Sequence, residues 1–143
     1  PGDLLELLES LEQKHSIDSS RIYLTGFGKG GSGVWDIAMA IPDRFAAVWP
    51  VAGAITPDYD RAAARLSRLP VFAVWGENDD AAAAERTRLL IATQQEEGLD
   101  SRFLLLPGAN HIQSLRQAYR RPEIYEWLLE QQNTTSPMEG ALP

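Results

Sequence analysis

The chain has 143 residues, of which 44% are apolar, and it carries a formal net charge of −7. This length allows one domain with a hydrophobic core, and no apolar run approaches the roughly 18 residues that cross a bilayer. The acidic balance disfavours nucleic acid as a partner. The absence of cysteine excludes disulfides and thiolate catalysis, and two histidines are too few to favour a histidine-based metal site.

The first predicted element is an amphipathic helix over Asp3–Lys14. Leucines recur on one side and glutamates on the other, and Asp3 is expected to cap the helix. The chain begins with Pro1 rather than methionine, and no signal-peptide pattern follows. This start is consistent with a processed or fragmentary piece of a longer polypeptide, so the start does not indicate a compartment.

The stretch Arg21–Asp36 predicts a strand, a sharp turn and a helix. The short apolar run Ile22–Leu24 is followed by five glycines within the eight residues Gly26–Gly33, and a helical pattern begins at Val34. Glycines at these positions let the helix pack close against the strand. We expect this helix to continue to about Ile41, before a proline.

Strands and helices alternate along the rest of the chain. Further strands are predicted at Ala46–Val51, Pro70–Trp75 and Arg102–Leu106, and further helices from Thr56-Pro57 to about Arg68, over Ala83–Glu97 and over Pro122–Gln131. Such alternation predicts an α/β fold, with a parallel sheet of about four strands and helices on both faces. We expect one domain over residues 1–132 and a flexible tail over residues 133–143.

The glycine-rich turn fits two opposed interpretations. Gly26, Gly28 and Gly31 match the G-x-G-x-x-G of dinucleotide-binding folds. The same turn matches the nucleophile elbow G-x-S-x-G, except that Gly28 stands in place of the serine. A dinucleotide site needs an acidic residue at the end of the second strand, but Trp49–Ile55 contains none, and Asp58 is expected to lie inside a helix. The dinucleotide interpretation is therefore disfavoured.

The hydrolase interpretation requires an acid and then a histidine after later strands. Asp79 follows the third predicted strand and His111 follows the fourth, which puts both on the same sheet edge as Gly28. The acid would orient the imidazole, and the imidazole would act as general base. Asp80 could replace Asp79, which is favoured by its spacing from Gly76. Singly, an aspartate in a turn and a histidine in a loop are usually structural, but their order favours a catalytic-triad remnant.

The order of several short motifs is similar to that in α/β-hydrolase esterases. These motifs are Arg21–Phe27, Gly30-Gly31, Gly33–Asp36, Pro42–Ala47, Gly76-x-x-Asp79, Pro107-Gly108-x-x-His111 and Tyr125–Leu129. The nearest group is the phospholipase/carboxylesterase-like and feruloyl-esterase-like "predicted peptidase" branch. The resemblance runs to about Gln131 and covers only the C-terminal half of that fold.

The resemblance implies ester hydrolysis through a serine acyl-enzyme, with no cofactor and no metal. It makes Asp79 the triad acid, His111 the triad base and the Lys29 backbone N–H the first oxyanion donor. The second donor belongs to the half that is not matched. Because Gly28 has no side chain, we expect the chain as written to be inactive. Ser32 lies in the first turn of the helix, away from the apex, and is a poor substitute nucleophile.

Two functional classes stay open. One is a carboxylesterase-like protein that has lost its serine and still takes a small ester or an ester analogue. The other is a non-catalytic binding or structural piece. In the resembled fold the strand Arg21–Thr25 has an upstream neighbour, so we expect its free edge to pair with an upstream half or with a second copy.

Overall fold

Four parallel strands form one sheet in the order β1-β2-β3-β4 in the computed structural model, which describes residues 2–55 and 58–134. The strands are β1 (Tyr23–Phe27), β2 (Ala47–Val51), β3 (Phe72–Gly76) and β4 (Arg102–Leu106). The helices are α1 (Gly2–Lys14), α2 (Lys29–Ala40), α3 (Tyr59–Arg65), α4 (Ala81–Glu96), α5 (His111–Ala118) and α6 (Pro122–Glu130), with a 3-10 turn at Pro42–Arg44. The predicted α/β class with four parallel strands is confirmed.

The two central strands are buried along their whole length, and the two edge strands are not. Burial of every residue in β2 and β3 is what parallel strands covered on both faces require. Trp49 lies in a core cluster with residues of α5 and α6, whereas its neighbour Val48 lies in a second cluster with residues of α2 and α3. The side chains of a strand alternate between faces, so the predicted helices on both faces are confirmed.

Glycines bring α2 against the ends of β1 and β2. A Cβ atom on Gly26 would lie 2.4 Å from the carbonyl oxygen of Gly30, and one on Gly53 would lie 2.2 Å from the carbonyl carbon of Gly31. Real Cβ atoms do not approach backbone this closely, so these two positions require glycine. The close approach fixes the start of α2 at the carboxyl end of the sheet.

The turn between β1 and α2 is tighter than the sequence predicted. We expected a strand over Arg21–Thr25 and a helical pattern from Val34, but β1 continues through Phe27 and α2 begins at Lys29. The reason is that Gly26 and Phe27 still pair with Pro50 and Val51 of β2. Most of the glycines therefore belong to regular structure, and the turn itself is Gly28.

Two predicted helix starts also differ. Asp3 lies inside the first turn of α1 rather than before it. The predicted start at Thr56-Pro57 lies outside the described residues, and Asp58 is not inside α3 but caps it, because its side chain accepts a hydrogen bond from the Arg61 N–H at 2.9 Å. A cap of this kind sets the helix start.

Helix α5 was not predicted, and His111 is its first residue rather than part of a loop. The helix begins with a capping box: Asn110 Oδ1 accepts from the Gln113 N–H, and the Asn110 N–H donates to Gln113 Oε1, both at 2.9 Å. Two hydrogen bonds therefore fix the backbone immediately before His111.

The predicted boundary at residue 132 stays a prediction, since residues 135–143 lie outside the described part. The Asn133 N–H donates to the Ser20 carbonyl at 2.7 Å. Within residues 2–55 and 58–134, no helix is long and apolar enough to span a membrane. The same residues contain no group of three metal-binding side chains.

Candidate active site

The turn between β1 and α2 holds Gly28 in a conformation that favours glycine. Its φ is 60° and its ψ is −119°, a region that residues with a Cβ rarely occupy. The Gly28 N–H donates to the Val51 carbonyl at 2.9 Å, and its own carbonyl accepts from the Ser32 N–H at 3.0 Å. Both peptide groups of Gly28 are thus bound, one to β2 and one to α2, and the apex of the turn is fixed.

Asp79 and His111 form a hydrogen-bonded pair next to this turn. Asp79 Oδ2 lies 2.7 Å from Nδ1 of His111, and Asp79 Oδ1 accepts from the Asp80 N–H at 2.8 Å. The Asp79 side chain is only 15% exposed, and that of His111 is 46% exposed. Because an ionised carboxylate can only accept, Nδ1 donates, and Nε2 is left to accept a proton on the open side.

The imidazole of His111 points its Nε2 at Gly28. A Cβ atom built on Gly28 would lie 3.2 Å from Nε2 and 3.7 Å from Cε1 of His111, and no other heavy atom of the described residues is within 4 Å, the atoms of adjacent residues aside. The Phe27 ring packs against the imidazole with the ring centroids 4.7 Å apart. A side chain at position 28 would therefore contact the His111 imidazole directly.

The structure separates the two candidate acids. Asp80 is the cap of α4, and its Oδ1 accepts from the Ala83 N–H at 3.0 Å. Asp79 is the carboxylate that contacts His111. Adjacent residues thus have different contacts, one at a helix start and one at the imidazole.

Lys29 is the first residue of α2 and directly follows the apex. The first N–H groups of a helix have no acceptor inside the helix, and this end carries the positive end of the helix dipole. The Lys29 N–H therefore lies at the positive end of this helix, directly after Gly28. Ser32 lies one turn further along α2, with its N–H bound to the Gly28 carbonyl.

A dinucleotide site lacks its acidic partner. β2 ends at Val51 and is followed by Ala52 and Gly53, which carry no carboxylate. Asp58 is the next acidic residue, and its side chain caps α3. The described residues thus offer no group at this position that could hold the ribose hydroxyls.

Two contributors to the site were missed from the sequence. The ring of Phe27 supports the imidazole, and the capping box that starts α5 fixes the backbone at His111. The capping box had a readable signal in the pair Asn110 and Gln113, three residues apart. The ring contact had none, because it joins residues far apart in the sequence.

An elbow after β1, a carboxylate after β3 and a histidine after β4 in a parallel sheet define the α/β-hydrolase class. The chain belongs to the dienelactone hydrolase family, whose family model matches residues 2–121. The resemblance to the α/β-hydrolase esterases is therefore confirmed.

Solved structures and a curated relative agree with this class. A thermostable esterase is 28% identical with a TM-score of 0.79, and the match covers 91% of this chain and 36% of that one. Esterase PE8 is 20% identical with a TM-score of 0.66, over 86% of this chain and 58% of that one. The bifunctional acetylxylan esterase/xylanase XynS20E of Neocallimastix patriciarum is 31% identical over 75 residues, which are 52% of this chain and 11% of that protein.

Proposed function

We propose that this chain binds carboxylic esters at Gly28, Asp79 and His111 and does not hydrolyse them through an acyl-enzyme. One observation carries the proposal: a Cβ at Gly28 would lie 3.2 Å from Nε2 of an imidazole that Asp79 holds at 2.7 Å. The base faces the nucleophile position, and that position has no side chain.

Three features favour ester binding. The chain belongs to the dienelactone hydrolase family, and its structural neighbours include an esterase. The Lys29 N–H at the start of α2 suits the carbonyl oxygen of an ester. The imidazole of His111 is half exposed, so a ligand can reach Nε2. None of these groups depends on a serine at position 28.

Turnover is not expected, because the formation of an acyl-enzyme requires a nucleophile and Gly28 has no side chain. Removing the nucleophile of a catalytic triad costs about 10⁶-fold in turnover, and only oxyanion stabilisation and binding are left. We therefore expect p-nitrophenyl acetate and p-nitrophenyl butyrate to be hydrolysed at the background rate. Rapid hydrolysis that disappears in His111→Ala would contradict the proposal.

Binding is measured separately, with an ester that does not react. Ethyl butyrate is titrated into the protein while the ring signals of its two histidines, His15 and His111, are followed by NMR. The His111 signals should shift in a saturable way and the His15 signals should not, because His15 follows the end of α1 and is not at the carboxyl end of a strand. His111→Gln assigns the signals. Unchanged His111 signals up to saturating ester would contradict ester binding.

A second candidate function is structural, and the sheet order favours it. β1 is the first strand of the sheet and has a described neighbour on one side only, β2. Helix α1 also has an exposed leucine: Leu7 is 54% exposed, whereas Leu8 packs against the same core cluster as Leu24 of β1. The β1 edge would take a further strand, from another polypeptide or from a second copy.

A further inference from the structure

We propose that Gly76 and Asn78 are positioning residues that set how closely the start of α5 approaches the end of β3. His111 is the first residue of α5, and Asp79 lies in the loop that follows β3. The approach of these two elements therefore determines whether Nδ1 of His111 reaches the Asp79 carboxylate. Their role in ester binding rests on the proposed function, since Asp79 and His111 belong to the site proposed there.

Gly76 is the last residue of β3 and is buried against the segment that leads into α5. A Cβ atom on Gly76 would lie 2.4 Å from the carbonyl oxygen of Ala109 and 2.4 Å from Oγ of Ser114. Both of these residues are buried, and Ser114 Oγ donates to the Asn110 carbonyl at 2.8 Å. Because the atoms in the way are held inside the fold, a side chain at position 76 would push the start of α5, and His111 with it, away from β3.

Asn78 joins the same two segments by hydrogen bonds. Its N–H donates to the Ala109 carbonyl at 2.9 Å, and its side-chain Nδ2 donates to the Gly108 carbonyl at 3.2 Å. Gly108 has a φ of 69°, which favours glycine. Asn78 directly precedes Asp79, and its two acceptors lie just before His111. It thus ties the loop that carries the carboxylate to the loop that carries the imidazole.

The pair that these contacts hold is sensitive to small movements. Asp79 Oδ2 and His111 Nδ1 are 2.7 Å apart, and a displacement of about 1 Å would take them out of hydrogen-bond range. The hydrogen bond made by one ring nitrogen of a histidine sets which nitrogen carries the proton. Loosening the two loops should therefore free the Nδ1 proton and mix the two tautomers of His111.

The experiment follows the ring nitrogens of His111 by NMR in the full chain, without ligand and at a pH where the imidazole is neutral. The parent should show a protonated Nδ1 whose proton exchanges slowly with water. Gly76→Ala should lose this signature. Asn78→Ala should speed the exchange of the Nδ1 proton by about 2- to 10-fold, the net effect of one hydrogen bond.

Gln95→Ala is the matched control for Asn78→Ala. It also removes a neutral amide that donates to a backbone carbonyl, that of Ser101 at 2.9 Å, but just before the start of β4, at the opposite edge of the sheet. Its stability should fall while the exchange of the Nδ1 proton stays as in the parent. This separates a positioning role from a general loss of stability.

An intact signature in a folded Gly76→Ala protein would overturn the inference, as would equal exchange in Asn78→Ala and the parent. Acceleration of the same size in Gln95→Ala would also overturn it. Should Gly76→Ala fail to fold by its thermal melt, Asn78→Ala and its control decide alone. No ester is present in these measurements, so their failure leaves ester binding intact. An unshifted His111 in the ethyl butyrate titration overturns ester binding and leaves the positioning role intact.

Discussion

Gly28 lies in a backbone conformation that favours glycine. With φ at 60° the residue occupies a region where a side chain is strained, and both of its peptide groups are hydrogen-bonded to neighbouring elements. The backbone thus cannot relax easily to accommodate a side chain. Glycine relieves strain at the position that we propose corresponds to the nucleophile of an esterase.

We predict that Gly28→Ser lowers the free energy of unfolding by about 1–3 kcal/mol, the usual strain of a side chain in such a conformation. The Cβ of a side chain at position 28 would also lie 3.2 Å from Nε2 of His111, and this close contact should lower the stability further. Thermal and urea unfolding of the parent and the variant measure this, with Gly30→Ser in the first turn of α2 as a control. A serine variant that melts higher than the parent would contradict the elbow assignment.

The site was only partly predictable at the residue scale. The order of Asp79 and His111 behind successive strands is enough to predict a shared sheet edge. From the sequence, Asp79 was favoured over Asp80 as the acid only by its spacing from Gly76. In the structure the two differ because the Asp80 side chain caps α4. The distance of 2.7 Å between Asp79 and His111 depends on two loops meeting, which no local pattern encodes.

At the scale of elements, glycines determine how closely α2 packs against the sheet. We predict that Gly53→Ala lowers the free energy of unfolding by about 1–3 kcal/mol or more, because its Cβ would lie 2.2 Å from backbone of Gly31. Gly30→Ala should cost nothing or stabilise by about 0.5–1 kcal/mol, since its Cβ meets open space. Urea unfolding of both variants is the measurement. Equal effects would show that the close approach is not what requires Gly53.

Tyr119 gives the contact between α5 and the sheet a dependence on pH. Burial raises the pKa of Tyr119 above its usual value, and its hydroxyl contact with Thr25 offsets this only in part. The Tyr119 ring also packs on Trp49, with centroids 4.6 Å apart. Burial therefore disfavours the phenolate in the folded state.

The raised pKa of Tyr119 determines how the stability of the fold changes with pH. Below a pH of about 10, Tyr119 is protonated in both the folded and the unfolded chain, and the folded state has its full stability. As pH rises through the unfolded and then the folded pKa, the unfolded state gains by ionising first, so stability falls. We predict a steeper loss of stability above that pH in the parent than in Tyr119→Phe, measured by urea unfolding. Parallel curves would contradict it.

The elements themselves were predicted unequally. β4 is confirmed at Arg102–Leu106 with no change in bounds, because an apolar run bounded by turn residues is a strong local signal. Helix α5 was missed, since its eight residues hold few apolar side chains and follow closely after Pro107 and Gly108, which break regular structure. The extension of β1 through Phe27 depends on pairing with β2, which is a property of the sheet.

At the scale of the whole molecule, the sheet has β1 at one end and β4 at the other. Unpaired N–H and C=O groups along an edge strand are a template for further pairing. We predict that the chain self-associates or aggregates with rising concentration, and that amides of β1 exchange faster than those of β3. Light scattering and amide exchange measure this. A concentration-independent monomer with slow exchange throughout β1 would contradict it.

The placement of Gly28 opposite His111 is tested most directly by installing the serine and trapping it. A fluorophosphonate reacts once with a base-activated serine, so its covalent label reports geometry even where turnover is slow. The intact mass and a peptide map are measured after exposure. We predict a label at residue 28 in Gly28→Ser, and none in the parent or in Gly28→Ser with His111→Gln. A folded Gly28→Ser protein that acquires no label, or that is labelled equally without His111, would contradict the assignment of this turn as a nucleophile elbow.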